Sequence, residues 1–554
     1  MQHQNPFSKT EDFWAIVIGS FLLISSLIIF LSIAPDGLKE EIATLEQVLE
    51  KESKIPFQTI ASHEAENKLA ALKLSKEPVG QFLKKLSAKP NGWTKEPASA
   101  FFSKKPTGEL DDKQVVEALG TAKEAEKLAH AKDFSDPSLN EEAEKKIEEW
   151  ASQNATFQKQ KDKRKPGSFS FGHLLVLFLL LLALFGFGAV KMGDKFGDFT
   201  KGFALVFLLA LVSLFLASQK DLKDLGVEYA VWAIVFGMLI SNTIGTPRWA
   251  ESALKTEFYI KTGLIIMGAE VLFNKILAIG LPGMFVAWVV TPIVLISTFW
   301  FGQNVLKISS KSLNITISAD MSVCGVSAAV ATAAASKATR EELTVAIGLS
   351  MIFTAIMMIV MPLFVKFVGM PEVLGGAWIG GTIDSSGAVV AAGAALGDKA
   401  MYIAATIKMI QNVLIGFVAF GVAVYFATKV EKGEGSAKVG VGEIWRRFPK
   451  FILGFVGASL LFTAIYTWLG DREAYSIIDQ GVLGGFTKNL RTWLFCLAFV
   501  SIGLSTDFRV LKKHFTGGKP LLLYICGQTL NILLTLGMAY LMFYKVFPHV
   551  TESF

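Results

Sequence analysis

Hydrophobic residues gather into about thirteen long runs, most of about 16 to 28 residues, enough for a helix to cross a hydrocarbon layer of about 30 Å. They cover roughly 14–34, 169–190, 202–217, 227–244, 258–273, 284–301, 315–335, 343–368, 374–396, 401–427, 451–469, 493–504 and 521–547. The pattern predicts an all-α polytopic membrane protein. The first run reads as an anchor: its apolar length exceeds the usual signal core of about 7 to 15 residues, and no small-residue cleavage site precedes Pro35. Residues 374–396 either span the membrane or re-enter it.

Between the first two runs the pattern changes. Of the 102 Lys, Arg, Asp and Glu residues, 47 lie between Asp36 and Ser168. This segment is rich in Ala, Lys, Glu and Leu, the mixture expected of helices. Leu38, Ile42, Leu45 and Leu49 share one helical face and suggest a short coiled-coil seam. The segment reads either as a helical bundle that spaces or pairs protomers, or as a module that collects substrate or binds a partner. Pro90-Asn-Gly and the stretch 97–106 interrupt it, and 159–165 form a basic linker. The expected organisation is a tail and anchor over 1–35, a soluble helical domain over 36–168 and a transmembrane domain over 169–554.

Basic loops set the orientation. Lys429, Lys432, Lys438, Arg446, Arg447 and Lys450 cluster in one loop and Arg509, Lys512, Lys513 and Lys519 in another, which places both in the cytoplasm. With thirteen crossings the amino terminus is then inside, and residues 36–168 and the carboxyl terminus are outside a bacterial inner membrane.

The chain is 52% hydrophobic and 18% charged, with a mean hydropathy of +0.46, which excludes a cytosolic enzyme or a nucleic-acid binder. The net charge of +6 adds little, because the excess basic residues lie in loops. Three cysteines in apolar runs give no disulfide framework, and the scattered histidines give no metal-ligand spacing. A Walker A loop, a dinucleotide glycine fingerprint, a nucleophile elbow and His-Glu-x-x-His are all missing from the sequence. We therefore expect no enzyme activity, no cofactor and no metal.

Chemistry is expected where polar residues interrupt membrane segments, since an ionisable group at the bilayer centre costs about 2.5 to 3.5 kcal/mol unless enclosed. Two such stretches, Ser318-Ala-Asp-Met-Ser-Val-Cys-Gly-Val-Ser-Ala and Gly380-Gly-Thr-Ile-Asp-Ser-Ser-Gly-Ala-Val-Val, superimpose with a shift of 62 positions. Ser322 then falls on Asp384, and Cys324-Gly325 on Ser386-Gly387. Each predicts a glycine-containing break that opens a small-residue helix. A helix that begins inside the membrane presents unpaired N–H groups and a partial positive charge, which hold an anion without a full cation. Ser322, Asp384 or Ser386 are the expected caps. Close small-xxx-small packing would explain the small residues equally well, but packing requires neither Asp320 nor Asp384. Paired broken helices are the recurring site architecture of secondary transporters.

Several motifs carry a resemblance: Phe236-Gly-Met-Leu-Ile-Ser-Asn, Thr262-Gly-Leu-Ile-Ile-Met-Gly, Cys324-Gly-Val-Ser-Ala, Gly380-Gly-Thr-Ile with Val389-Val-Ala-Ala-Gly, and Ile407-Lys. Over roughly 227–427 the chain resembles the bacterial family named for sulfate export, grouped with the cation:proton antiporter and anion transporter superfamily. The resemblance implies inverted repeats, crossing broken helices and export of sulfate or a related small anion. Two positions depart from it: Asp384-Ser385 stands where the family has His-Glu, and Gln411 where it has Arg. They point to a different anion, a different coupling ion or both.

Lys408, Gln411 and Asn412 share a helix face in an apolar segment, and a buried Lys408 calls for Asp384, Asp320 or an anionic ligand as partner. Glu270 lies near a segment end and reads either as an interfacial residue or as an ion ligand. Ile502-Gly-Leu-Ser-Thr-Asp-Phe faintly echoes Met267-Gly-Ala-Glu-Val-Leu-Phe, as a repeat would. The expected substrate-binding set is Ser318, Ser322, Cys324, Gly325, Ser327, Thr382, Ser385, Ser386, Gly387, Lys408, Gln411 and Asn412. Asp320, Asp384 and Glu270 are the expected ion-coupling set. The expected partners are a small anion, H⁺ or Na⁺, the bilayer and a second copy in a homodimer. A cation antiporter of the Na⁺/H⁺ type and a membrane sensor with an external ligand-binding domain are the competing expectations.

Overall fold

The computed structural model describes residues 7–35, 37–72, 74, 77–102, 111–163, 169–224, 229–270, 273–430, 449–507, 509 and 518–552. Most of the basic loops that set the expected orientation lie outside them. All regular structure among the described residues is helical. The chain divides into two compact units, one of Met1–Leu22, Phe178–Phe462 and Leu490–Phe554, the other of Leu23–Leu177 and Thr463–Asn489.

Helix α1 (Glu11–Ser32) contributes to both. In the second unit follow α2 (Leu38–Glu52), α3 (Ile60–Ala71), α4 (Pro78–Leu86), α5 (Lys113–His130) and α6 (Pro137–Lys163). Alanines at three-to-four-residue spacing let α5 and α6 close on a core of Ala122, Ala125, Ala129, Ala143, Ile147 and Trp150, with Phe57 from the turn before α3 and Ile60 from its start. Thr59 caps α3, accepting from the Ser62 N–H at 3.1 Å and donating to Glu52 at 2.6 Å. Glu126 of α5 accepts the Ile60 N–H, and partial burial raises its carboxyl above the ordinary range. The face expected to form a coiled-coil seam packs within the chain, since α2 pairs with α3 and buries Leu38 and Ile42.

The remaining α-helices are α7 (Phe171–Met192), α8 (Phe196–Ala217), α9 (Lys220–Asp224), α10 (Tyr229–Thr243), α11 (Thr256–Gly268), α12 (Phe273–Met284), α13 (Val290–Asn304), α14 (Lys311–Ala319), α15 (Val326–Ser336), α16 (Arg340–Phe367), α17 (Glu372–Thr382), α18 (Ser386–Ala394), α19 (Asp398–Asn412), α20 (Leu414–Tyr425), α21 (Phe451–Leu469), α22 (Asp471–Ala474), α23 (Lys488–Ser505), α24 (Gly518–Tyr540) and α25 (Pro548–Glu552). Eight continuous helical stretches among the described residues are long and apolar enough to cross a membrane. The other five apolar runs are shorter helices, helices with charged ends, or, in 315–335 and 374–396, helices interrupted midway.

Small residues set the spacing around those interruptions. A Cβ on Gly376 of α17 would stand 2.6 Å from the Ala400 carbonyl, and one on Gly380 2.6 Å from the Ala404 carbonyl. The two glycines, one turn apart, thus seat α17 directly on the alanine ridge of α19. Ser241 of α10 donates to the Gly503 and Thr506 carbonyls at the end of α23 at 3.1 and 2.7 Å.

Gly380→Ala forces a methyl against backbone and should cost about 1 to 3 kcal/mol. Gly457→Ala, where a Cβ meets open space, should leave the protein unchanged or slightly more stable. Thermal unfolding of the two purified variants in one detergent separates them.

Candidate functional site

The first interruption keeps the chain coiled. After α14, residues Asp320–Cys324 form a wide π-helical turn, and Gly325 then takes φ +51 and ψ −127 before α15 begins. A backbone at positive φ strains any residue with a Cβ, so glycine is the residue that makes this exit. The second interruption is extended: Ile383 and Ser385 have β dihedrals between α17 and α18. The two meet, since a Cβ on Gly325 would lie 3.2 Å from the Asp384 carbonyl and 3.0 Å from Ser350 Oγ of α16. Cys324 and Ser386, equivalent under the 62-residue shift, are in contact, with Sγ and Oγ 3.8 Å apart.

Two side-chain amides tie the breaks together. Gln411 Nε2 of α19 donates to the Ser322 carbonyl at 3.1 Å and the Gly381 carbonyl at 3.3 Å, and also to Thr291. Asn531 Nδ2 of α24 reaches the neighbouring pair, Met321 at 3.4 Å and Thr382 at 3.3 Å. Each amide holds one carbonyl from each break. Gln528 adds a bond to the Thr382 carbonyl at 3.2 Å, and Tyr524 donates to the Asp384 carboxylate.

The site residues expected from the sequence largely converge here. Asp320, Ser322, Thr382, Asp384, Ser386, Lys408, Gln411 and Asn412 are all buried at the crossing. Asn412 Nδ2 donates to Ser386 Oγ at 2.9 Å. Ser318 sits one turn before the first break, within 3.4 Å of Asn314 Oδ1. Ser327 is exposed on α15, and Ser385 is half-buried.

Three expectations need correction. The breaks are not capped by side chains: Ser322 turns back to donate to the Ser318 carbonyl at 2.7 Å, and neither Gly325 nor Ser385, the residues at the cap positions, makes a side-chain cap. Lys408 pairs with neither aspartate; its ammonium donates to the Val323 carbonyl at 2.6 Å and to Gln411 Oε1 at 2.7 Å. Asp320 and Asp384 nevertheless lie within electrostatic reach of it. Glu270 belongs to another cluster, pairing with Arg491 of α23 at 3.1 Å and accepting from the Tyr402 hydroxyl.

That cluster is not evident in the sequence. The Arg491 and Glu270 side chains are each only 3% exposed, and Asp398, 62% exposed, joins them to the surface through Arg491 at 3.5 Å. Arg491 precedes the apolar run that begins near Trp493, where a charge reads as a flank. Tyr524, Gln528, Asn531 and Thr535 also escape a reading of the sequence, although their 4, 3, 4 spacing puts four polar groups on one face of an apolar helix.

Residues 201–524 match the family model described as Conserved hypothetical protein 698. The chain belongs to this family. It is also 49% and 50% identical to two UPF0324 membrane proteins of Nitratidesulfovibrio vulgaris, each alignment covering 98% of this chain and 96% of the relative. It is 56% identical over 69% of both chains to the UPF0324 membrane protein RB9488 of Rhodopirellula baltica. No solved structure matches. The family match spans both breaks and ends at Tyr524, so both breaks and α19 lie within the family region, while Gln528 and Asn531 follow it. With these relatives and its long apolar helices, the chain is a multi-pass membrane protein.

Gln411→Leu strands buried carbonyls of both breaks and should lower stability by about 1 to 3 kcal/mol per unsatisfied group, read as a fall in unfolding midpoint. At the other cluster, Arg491→Met removes the cation that pairs with the buried Glu270 carboxylate and should cost about 3 to 5 kcal/mol. Adding Glu270→Gln should restore part of the loss; strictly additive effects in the double-mutant cycle would disprove coupling.

Proposed function

We propose that this protein is a secondary transporter that carries a small inorganic or sulfur-containing anion across the bacterial inner membrane by alternating access, in the export direction that the sulfate-exporter resemblance implies. The observation that carries the reading is the contact of two helix breaks inside an apolar bundle, each opening a helix whose N-terminus lacks a side-chain cap. Uncapped N–H groups of α15 and α18 form an anion cradle, with the Lys408 ammonium nearby adding positive charge. Asp320 and Asp384 are the coupling residues, since a carboxylate buried in such a bundle is retained for ion traffic more readily than for packing. Without an ATP motif, the driving force is an ion gradient or the gradient of the substrate itself.

The helical unit over 36–168 is read as an extracytoplasmic accessory that spaces or pairs two protomers. Deleting residues 40–159 should then leave flux intact; loss of flux with the remaining protein folded would favour the sensor reading.

Proteoliposomes loaded with labelled sulfate, with sulfite, thiosulfate, small sulfonates and bicarbonate as competitors, test the substrate. Lys408→Gln should reduce flux by at least about tenfold, the order expected when one charge-assisted contact of about 1.5 to 3 kcal/mol is lost. Asp384→Asn should abolish dependence on the driving ion. Unchanged flux and unchanged ion dependence in Asp384→Asn would remove its coupling role.

A further inference from the structure

The crossing does not balance its own charge. Asp320 and Asp384 are both buried, and among the described residues Lys408 is the one cation acting on each of them. With the carboxylates ionised, the set carries one surplus negative charge, which burial penalises until a positive charge joins it. Lys408 directs its hydrogen bonds elsewhere, to Val323 and Gln411. Asp384 has the Tyr524 hydroxyl. Asp320 has less: Ser350 lies beside it, yet neither carboxylate oxygen receives a donor with hydrogen-bond geometry among the described residues.

The other idle atoms here are also oxygens. Thr382 Oγ1 and Gln528 Oε1 are buried without a partner among the described residues. The orientation of the Gln528 amide follows from its nitrogen facing the Thr382 carbonyl, so its oxygen is the unused end. The Asn531 amide spans the carbonyls of Met321, next to Asp320, and Thr382, which brings these groups into one neighbourhood. The amide and ammonium nitrogens of Lys408, Gln411, Gln528 and Asn531 are all engaged, while the unused atoms are oxygens, each able to accept and Thr382 Oγ1 able to donate as well. That leftover set fits a bare cation.

We propose that Asp320 is the centre of a binding site for a dehydrated monovalent cation of the size of Na⁺, completed by oxygens of Ser350, Thr382 and Gln528, with Asp384 held apart by Tyr524. One uncompensated charge calls for one positive charge. Ca²⁺ and Mg²⁺ would leave a surplus, and among the described residues no group of three or more His, Cys, Asp or Glu residues is placed to hold such an ion. A proton would balance the charge but engage only one of the idle acceptors, whereas a cation engages several. The site names the coupling ion of the proposed transporter and rests on that reading for the coupling; binding itself does not depend on which substrate is moved.

Thermal unfolding of the full-length protein in detergent, at fixed pH and ionic strength, tests it with NaCl exchanged for KCl or choline chloride. The midpoint should rise saturably with Na⁺, less with K⁺ and not with choline, because a ligand that binds only the folded state stabilises it by mass action. Asp320→Asn should abolish the Na⁺ response without lowering the midpoint in choline, since the amide removes the unbalanced charge. Thr382→Val and Gln528→Leu should each raise the half-saturating Na⁺ concentration by about tenfold or more. Equal midpoints in the three salts, or a Na⁺ response that survives in Asp320→Asn, would overturn the site. If Asp320→Asn does not fold, the Thr382 and Gln528 variants decide, and unshifted Na⁺ dependence in both overturns it. A Na⁺-specific rise without anion flux would count against the anion reading alone. Anion flux without that rise would count against the cation site alone.

Discussion

A helix that stops inside a membrane bundle leaves carbonyls and N–H groups with no water to receive them, and the side-chain amides of this crossing answer the carbonyl half of that constraint. Gln411 and Asn531 meet the carbonyl side, each gripping one carbonyl from either break. They come from two different helices, α19 and α24, so the breaks are fixed to each other and to the surrounding bundle in one network. The N–H side is left uncapped. Two such breaks in contact are costly unless most of their groups are satisfied, which is why the polar side chains of α19 and α24 converge on the same few residues.

Packing serves the same end. Gly376 and Gly380 let α17 lie against Ala400 and Ala404 closely enough for Gln411, farther along α19, to reach the Gly381 carbonyl. Bulk at either glycine would push the amide away from its acceptor. The small residues that read equally well as a packing motif or as a site are both, because the helix contact sets the reach of the polar groups.

Much of the crossing is legible because its own residues interrupt apolar runs. The 62-residue shift pairs Cys324 with Ser386, and the two side chains touch. What stays hidden depends on contacts rather than composition. Tyr524, Gln528 and Asn531 are spread through the last long apolar helix, where single polar residues look incidental until a partner 140 or more residues away is known. A buried Lys408 calls for a carboxylate, but a carbonyl and an amide oxygen lie nearer. Glu270 has a partner that follows it by more than two hundred residues, beyond any periodicity. The helical content of the polar segment follows from its composition, whereas the partner of α2 does not, because one apolar face does not say whether it meets another chain or its own.

The pairing of Cys324 with Ser386 has an electrical consequence. Positions equivalent in the two stretches meet there, but two residues earlier the equivalence fails: Ser322 in one stretch corresponds to Asp384 in the other. Asp320 in the first stretch in turn corresponds to Thr382 in the second, so each stretch carries one carboxylate, at positions two residues apart. A motion that exchanged their local conformations would carry one carboxylate each way. Work against a transmembrane potential scales with the net charge displaced, which two opposed carboxylates make small. The resting balance between two such conformations would then follow ligand rather than membrane voltage.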